Sequence, residues 1–137
     1  MIQTTIAQWQ NNPNHKKGFN EYTGLDKVRL EEDGSYCLYT RVEEQMLNPF
    51  GNIHGGVIFT LCDNAAGSYM ANLGRYSVTM HSDLSFYRPA HLGDLLTTRV
   101  DARKIGKTVS VLLVELRDQN GTRIADGTFQ MFRVEKK

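Results

Sequence analysis

The chain has few of the residues that would commit it to a special compartment or chemistry. Two cysteines, Cys37 and Cys62, stand among 137 residues, too few for a disulfide framework, and both read as small buried hydrophobes. No run is long and apolar enough to span a bilayer, and the opening MIQTTIAQWQNNPNHKK lacks the apolar core of a signal peptide. A soluble, cytoplasmic protein with no membrane partner is the expectation. Excess charge is missing too: sixteen basic residues face fifteen acidic ones, so bulk electrostatics gives no reason to expect a nucleic-acid partner. Zinc-ligand spacing, a glycine-rich phosphate loop after a strand and a Gly-x-Ser-x-Gly elbow are all lacking, so no metal and no cofactor is expected.

What is present fits one domain. A hydrophobic content of 40% over this length suits a fold that buries roughly two thirds of its unfolded-chain surface. Thr5 to Asn11 reads as a short helix stopped by Asn12-Pro13, followed by a polar stretch with Phe19 and Tyr22 as anchors of a second helical turn. Lys27 to Glu32 and Ser35 to Met46 read as strands joined at Asp33-Gly34, a dipeptide favoured in tight hairpins. After Gly74 the period is that of strands. Val78, Met80, Ser82, Leu84 and Phe86 alternate; Leu96, Thr98, Val100 and Ala102 share one face; Val109 to Leu116 is apolar on both faces, as in a central strand. Gly106 and Asn120-Gly121 mark turns, and Arg123 to Val134 supplies the last strand.

Between these strands lies the stretch Asn48 to Gly74. It opens with turn signals, and Ile58, Leu61, Cys62, Ala65, Tyr69 and Leu73 then recur at helical spacing, with Gly74 in the C-cap position. The opposite face, Phe59, Asp63, Ala66, Gly67 and Met70, is apolar or small except for the aspartate. A helix buried nearly all round is expected, enclosed by a curved, mainly antiparallel sheet of five or six strands, an α+β domain.

Asp63 is thus a lone carboxylate on an apolar helix. Unpaired burial would cost several kcal/mol, so it either pairs with a cation or stands ready for proton transfer. Gly55 and Gly56 open the helix where the first N–H groups lack intrahelical acceptors, a place suited to a carbonyl oxygen that becomes an oxyanion. At about 1.5 Å per residue, Asp63 lies on the order of 11 Å further along. It does not easily reach a carbonyl held by its own helix. If both act on one substrate, a second subunit with an antiparallel helix is the simplest solution, which gives paired sites in a dimer. His54 alone reads as a structural histidine or a base.

Together, Asn48, His54-Gly55-Gly56, Asp63, the strand ending in Phe86-Tyr87-Arg88-Pro89-Ala90, Gly93-Asp94 and Gly106-Lys107 closely resemble the hotdog-fold acyl-CoA thioesterases of the PaaI (phenylacetyl-CoA thioesterase) type. The resemblance runs from about Val28 to Val134. Residues 1–25 lie outside it and are expected to form a helical N-terminal extension; for residues 26–137 it implies a single hotdog domain, with a five- to six-stranded antiparallel sheet wrapped around one central helix. It also implies hydrolysis of an aryl- or medium-chain acyl-CoA to free acid and coenzyme A, which is substrate rather than cofactor. The Gly55 N–H and the Asn48 amide would polarise the thioester carbonyl. Asp63 of the facing subunit would act as general base or nucleophile, Thr79 would hold the attacking water, and His54 would mainly shape the loop. Gly56 and Phe59 would border the substrate, while Arg88, Arg103, Lys104 and Lys107 are candidate contacts for the coenzyme A phosphates. A homodimer is implied, and by resemblance a dimer of dimers. Two rivals stand beside this reading. One is a non-catalytic acyl-CoA-binding module; the other is a hotdog hydratase or dehydratase, whose helix glutamate is absent here.

Overall fold

The computed structural model describes Gly18, Phe19 and residues 36–134. The expected N-terminal helix and the strand Lys27 to Glu32 lie outside the described residues. Five strands and one long helix follow in the order β1 (Tyr36–Arg41), α1 (Gly55–Asn72), β2 (Ser77–Phe86), β3 (Leu95–Ile105), β4 (Val109–Arg117) and β5 (Arg123–Arg133). All strands pair antiparallel in one sheet of order β1-β3-β4-β5-β2. The long step from β1 to β2 carries α1 across the sheet, and β2 closes the row at an edge. This is the hotdog arrangement.

Alternation explains the packing of the sheet. Ser110, Leu112, Val114 and Leu116 of β4 point under the helix, as do Leu96, Thr98 and Val100 of β3 and Ala125, Phe129 and Met131 of β5. Ile58, Leu61, Cys62, Ala65, Ala66 and Met70 of α1 meet them in one core. Each large side chain fully buried there is worth about 1.5–3 kcal/mol over an exposed one. Gly127 lets β2 and β5 come close, since a side-chain carbon at that position would run into the Asp83 carbonyl. The helix ends at Asn72 with Leu73 as its C-cap, and Gly74 takes the left-handed conformation (φ 73°) of a helix-terminating glycine.

Three expectations need correction. The strand expected to reach Met46 stops at Arg41, and Glu44–Met46 forms a single 3₁₀ turn. There the Met46 side chain turns into the core. The helix is not buried nearly all round: Phe59, Asp63, Asn64, Gly67 and Ser68 are exposed or half-buried. The sheet covers one face of α1 and leaves the flank beside edge strand β2 open. Finally, the simple alternation of Val78 to Phe86 is interrupted by a register shift between Thr79 and His81. A bulge exchanges the two faces of a strand, so Thr79 shares the helix side with Leu84 and Phe86.

Candidate active site

Two groups of residues are held at opposite ends of the first half of α1. At its start, Asn48 anchors a tight loop. Its side-chain oxygen accepts the N–H groups of Phe50 (2.9 Å) and Asn52 (3.1 Å), and its own N–H donates to the Asn52 carbonyl (2.7 Å). Both side-chain partners are donors, so the amide orientation is fixed by chemistry: Oδ1 is engaged and Nδ2 is left to donate elsewhere. His54 is the helix N-cap. Its Nδ1 accepts the Gly56 N–H at 2.8 Å, and a side-chain carbon on Gly56 would crowd that ring at 3.0 Å. The cap consumes the Gly56 donor, whereas the Gly55 N–H has no acceptor among the described residues. Phe86 lies beside it, 3.8 Å from where a Gly55 side-chain carbon would stand.

Two turns further along, the Thr79 hydroxyl donates to Asp63 Oδ1 at 2.6 Å. A hydroxyl has one proton, so once Thr79 gives it to the carboxylate, its oxygen can only accept. The pair opens onto a cavity of about 570 Å³ lined by Asp63, Asn64, Gly67 and Ser68 of α1, Ser77, Val78 and Thr79 of β2, and Met131 of β5. A volume in this range suits a small-molecule ligand. Cys62, next to Asp63 in sequence, is no rival as nucleophile. Burial first, then the charges of Asp63 and Asp126, push its thiol up to about 12, which keeps it protonated.

The structure therefore joins Asp63 with Thr79, and Asn48 with His54 and the helix start, but keeps the two groups apart within one chain. Phe59 is partly exposed and packs its ring against Phe129, centroids 5.7 Å apart. Arg88, Arg103, Lys104 and Lys107 are all on the surface. Arg103 lies 3.5 Å from Asp101, and Lys107 lines a shallow cavity with Thr108, Arg133 and Val134. Gly67, Ser68, Ser77 and Met131 are not among the site residues expected from sequence, where Gly67 read only as a small residue on the helix face. The two helix residues share the three-to-four spacing with Asp63 or its neighbour, which is the signal that would have found them. Among the described residues no cluster of His, Cys, Asp and Glu could hold a metal ion, and no helix is long and apolar enough to cross a membrane.

Comparison with known proteins gives this arrangement a family. The profile of the Thioesterase superfamily matches residues 50–125, which contain the helix, Asp63 and Thr79. Over 102 residues, 74% of this chain and 72% of the relative, the sequence is 31% identical to the acyl-coenzyme A thioesterase PaaI of Escherichia coli. The structure of that E. coli protein from the phenylacetic acid degradation operon superposes with a TM-score of 0.80, covering 100% of this chain and 99% of its own. Human acyl-coenzyme A thioesterase 13 is 35% identical over 116 residues, 81% of each chain. A hypothetical thioesterase of Streptococcus pneumoniae, solved with coenzyme A, is 34% identical with a TM-score of 0.71, covering 74% of this chain and 82% of its own. Two variants of it, an aspartate and a threonine sixteen positions apart each changed to alanine, have also been solved. The chain belongs to the thioesterase superfamily, as a hotdog-fold hydrolase closely related to the PaaI-type acyl-CoA thioesterases.

Proposed function

We propose that the protein hydrolyses an aryl- or medium-chain acyl-CoA at sites shared between two subunits, with Asp63 as general base or nucleophile. The observation that carries this reading is the 2.6 Å contact between Thr79 and Asp63 in an open cavity. The same sixteen-residue spacing separates the aspartate and threonine altered in the pneumococcal relative, which supports giving both residues a part in the reaction.

In the general-base route, Asp63 takes a proton from water while the Thr79 oxygen accepts the water's other hydrogen. The new hydroxide bonds to the thioester carbonyl carbon. Negative charge gathers on the carbonyl oxygen, where the Gly55 N–H and Asn48 Nδ2 of the facing subunit donate to it. Collapse breaks the carbon–sulfur bond, and Asp63 returns its proton to the leaving thiolate. In the nucleophilic route Asp63 itself attacks the carbonyl carbon, and the carbon–sulfur bond breaks to release the coenzyme A thiolate. Water then cleaves the resulting anhydride to the free acid and the Asp63 carboxylate, the proton set free going to the thiolate.

The edge strand supports the dimer. Among the described residues β2 has an unpaired side, and Val78, Met80 and Phe86 along it are each 52% exposed. Pairing β2 with its own copy about a two-fold axis continues the sheet, covers these side chains and sets the two α1 helices antiparallel. A dimer of dimers is the larger assembly. Arg88, Arg103, Lys104 and Lys107 are the proposed phosphate contacts of coenzyme A. Gly56 and Phe59 border the acyl group.

The test is release of free coenzyme A thiol from aryl- and fatty-acyl-CoA substrates by the wild-type chain and by Asp63→Asn. Expected is turnover by wild type and a loss of about 10²–10⁴-fold in the variant, with the oligomer intact. Binding without turnover by both would replace the enzyme with a carrier module.

A further inference from the structure

Gly67 sits in the middle of α1, four residues after Asp63, and lines the same cavity. Glycine in a helix interior lowers stability relative to alanine, because its backbone loses more freedom on ordering. Such a residue is kept where something must come close. Among the described residues nothing does: a side-chain carbon built on Gly67 meets no heavy atom within 4 Å outside its immediate chain neighbours and its own helix backbone. Gly127, by contrast, is required by the Asp83 backbone pressed against it. The space above Gly67 belongs to something other than the described residues of this chain.

Position decides what that is. Residues four apart on a helix lie on one face, about 6 Å apart along the axis. A carbonyl carbon within reach of the Asp63 carboxylate has its acyl substituent extending one helical turn away, over Gly67 or in the opposite direction. The cavity favours the first course. Its lining on α1 runs from Asp63 to Ser68 and includes no helix residue before Asp63, and Ser77, Val78 and Met131 complete that side.

We infer that Gly67 is a specificity-determining residue, whose missing side chain admits acyl groups that are bulky at the second and third carbons, such as rings and branched chains. This rests on the reading of Asp63 as the reacting group. In place of Gly67, an alanine narrows the passage by a methyl group and a valine closes much of it, while the carboxylate, the Thr79 hydroxyl and the helix start stay in place.

The experiment measures kcat/KM of the full-length protein, Gly67→Ala and Gly67→Val on acetyl-, butanoyl-, hexanoyl- and phenylacetyl-CoA, with the assembly state followed by sedimentation. The expected result is a graded change in preference. Activity on phenylacetyl-CoA relative to the shortest acyl-CoA that wild type turns over falls several-fold in Gly67→Ala and at least tenfold in Gly67→Val, with the assembly unchanged. An equal loss on every substrate, or an unchanged preference, overturns the inference. Dissociation of the assembly in Gly67→Ala also overturns it, since the glycine would then serve close approach between chains. If wild type hydrolyses none of the four, the reading of Asp63 fails and Gly67 falls with it; turnover with an unaltered preference sinks Gly67 alone.

Discussion

Replacing Thr79 by valine removes one hydroxyl and almost no volume, which isolates the contact on which the site reading depends. In the structure that hydroxyl donates to Asp63 Oδ1 at 2.6 Å and also lies 3.6 Å from the Met131 sulfur, a much weaker acceptor. A hydrogen bond to a charged group contributes about 1.5–3 kcal/mol. Thr79 is exposed in the single chain, and solvent screening favours the lower end of that range. Since about 1.4 kcal/mol corresponds to a factor of ten in rate, Thr79→Val should lose roughly tenfold in kcat, and more where the dimer excludes water from the pair. Thr79→Ser keeps the donor and should stay close to wild type. Thiol release followed with a disulfide reagent is a clean assay here, because Cys37 and Cys62 are fully buried and stay silent while the protein is folded. The thermal unfolding temperature should fall modestly in Thr79→Val, which loses this bond, and change little in Thr79→Ser. Full activity in Thr79→Val would show that the contact does nothing for the reaction. Equal loss in valine and serine variants would place the effect in packing rather than in the hydroxyl.

Two further outcomes follow from the same geometry. His54→Ala removes the acceptor that caps Gly56 at 2.8 Å and should cost about 1 kcal/mol of stability. His54→Asn, which can cap, should restore both stability and turnover; a large loss of kcat in both variants at unchanged stability would make the imidazole a participant in proton transfer. Asp94 gives a pH dependence. The His91 N–H at 2.9 Å, and then the Gln119 amide at 3.0 Å, hold its carboxyl below the ordinary value of 3.8. The charged form is thereby favoured in the folded state, so the stabilisation is complete above the unfolded-state pKa and is lost as pH falls through the lower folded one. Asp94→Asn should therefore flatten the acid limb of the Tm against pH profile and leave activity on acyl-CoA intact. An unchanged acid limb would refute the assignment.

Most of the fold was legible in the sequence, because helix and strand periods are written in separate stretches and the turns carry their own residues. The Leu96-Thr98-Val100 face, the doubly apolar β4 and the glycine that ends α1 all stand where their patterns put them. The errors have local causes. Strand periodicity through Met46 concealed a 3₁₀ turn, since Met46 is buried either way. The bulge after Thr79 leaves no mark in the hydrophobic pattern, yet it decides that Thr79 faces the helix. The open flank of α1 was invisible for a different reason. A face that is apolar in sequence looks the same whether its own sheet or another molecule covers it. Asp63 could be recognised as exceptional from composition alone, but its hydroxyl partner lies sixteen residues away on another element. Resemblance to the family pointed to Thr79 as a holder of the attacking water, and only the structure joins it to Asp63.

The division of the site across two chains can be tested by mixing two damaged proteins. Asn48→Asp preserves the side-chain oxygen that accepts the Phe50 and Asn52 N–H groups. It replaces the amide donor with a carboxylate oxygen, which repels the developing oxyanion. Asp63→Ala removes the reacting carboxylate but leaves Asn48 and the Gly55 N–H untouched. Each variant alone should be nearly inactive, since every site in its assembly lacks one part. In a shared-site dimer formed from both, one site collects the two defects and the other collects the two intact residues. Random exchange of equal amounts makes half of the dimers mixed, so about one quarter of all sites, and of wild-type activity, should return. Unfolding the two together and refolding them allows the exchange, and the same proteins refolded separately and then combined supply the control. A site contained within one chain predicts no recovery at any mixing ratio, because neither chain carries both intact parts. Recovery near one quarter, peaking at equal proportions, is the signature of an aspartate that serves the helix start of its neighbour.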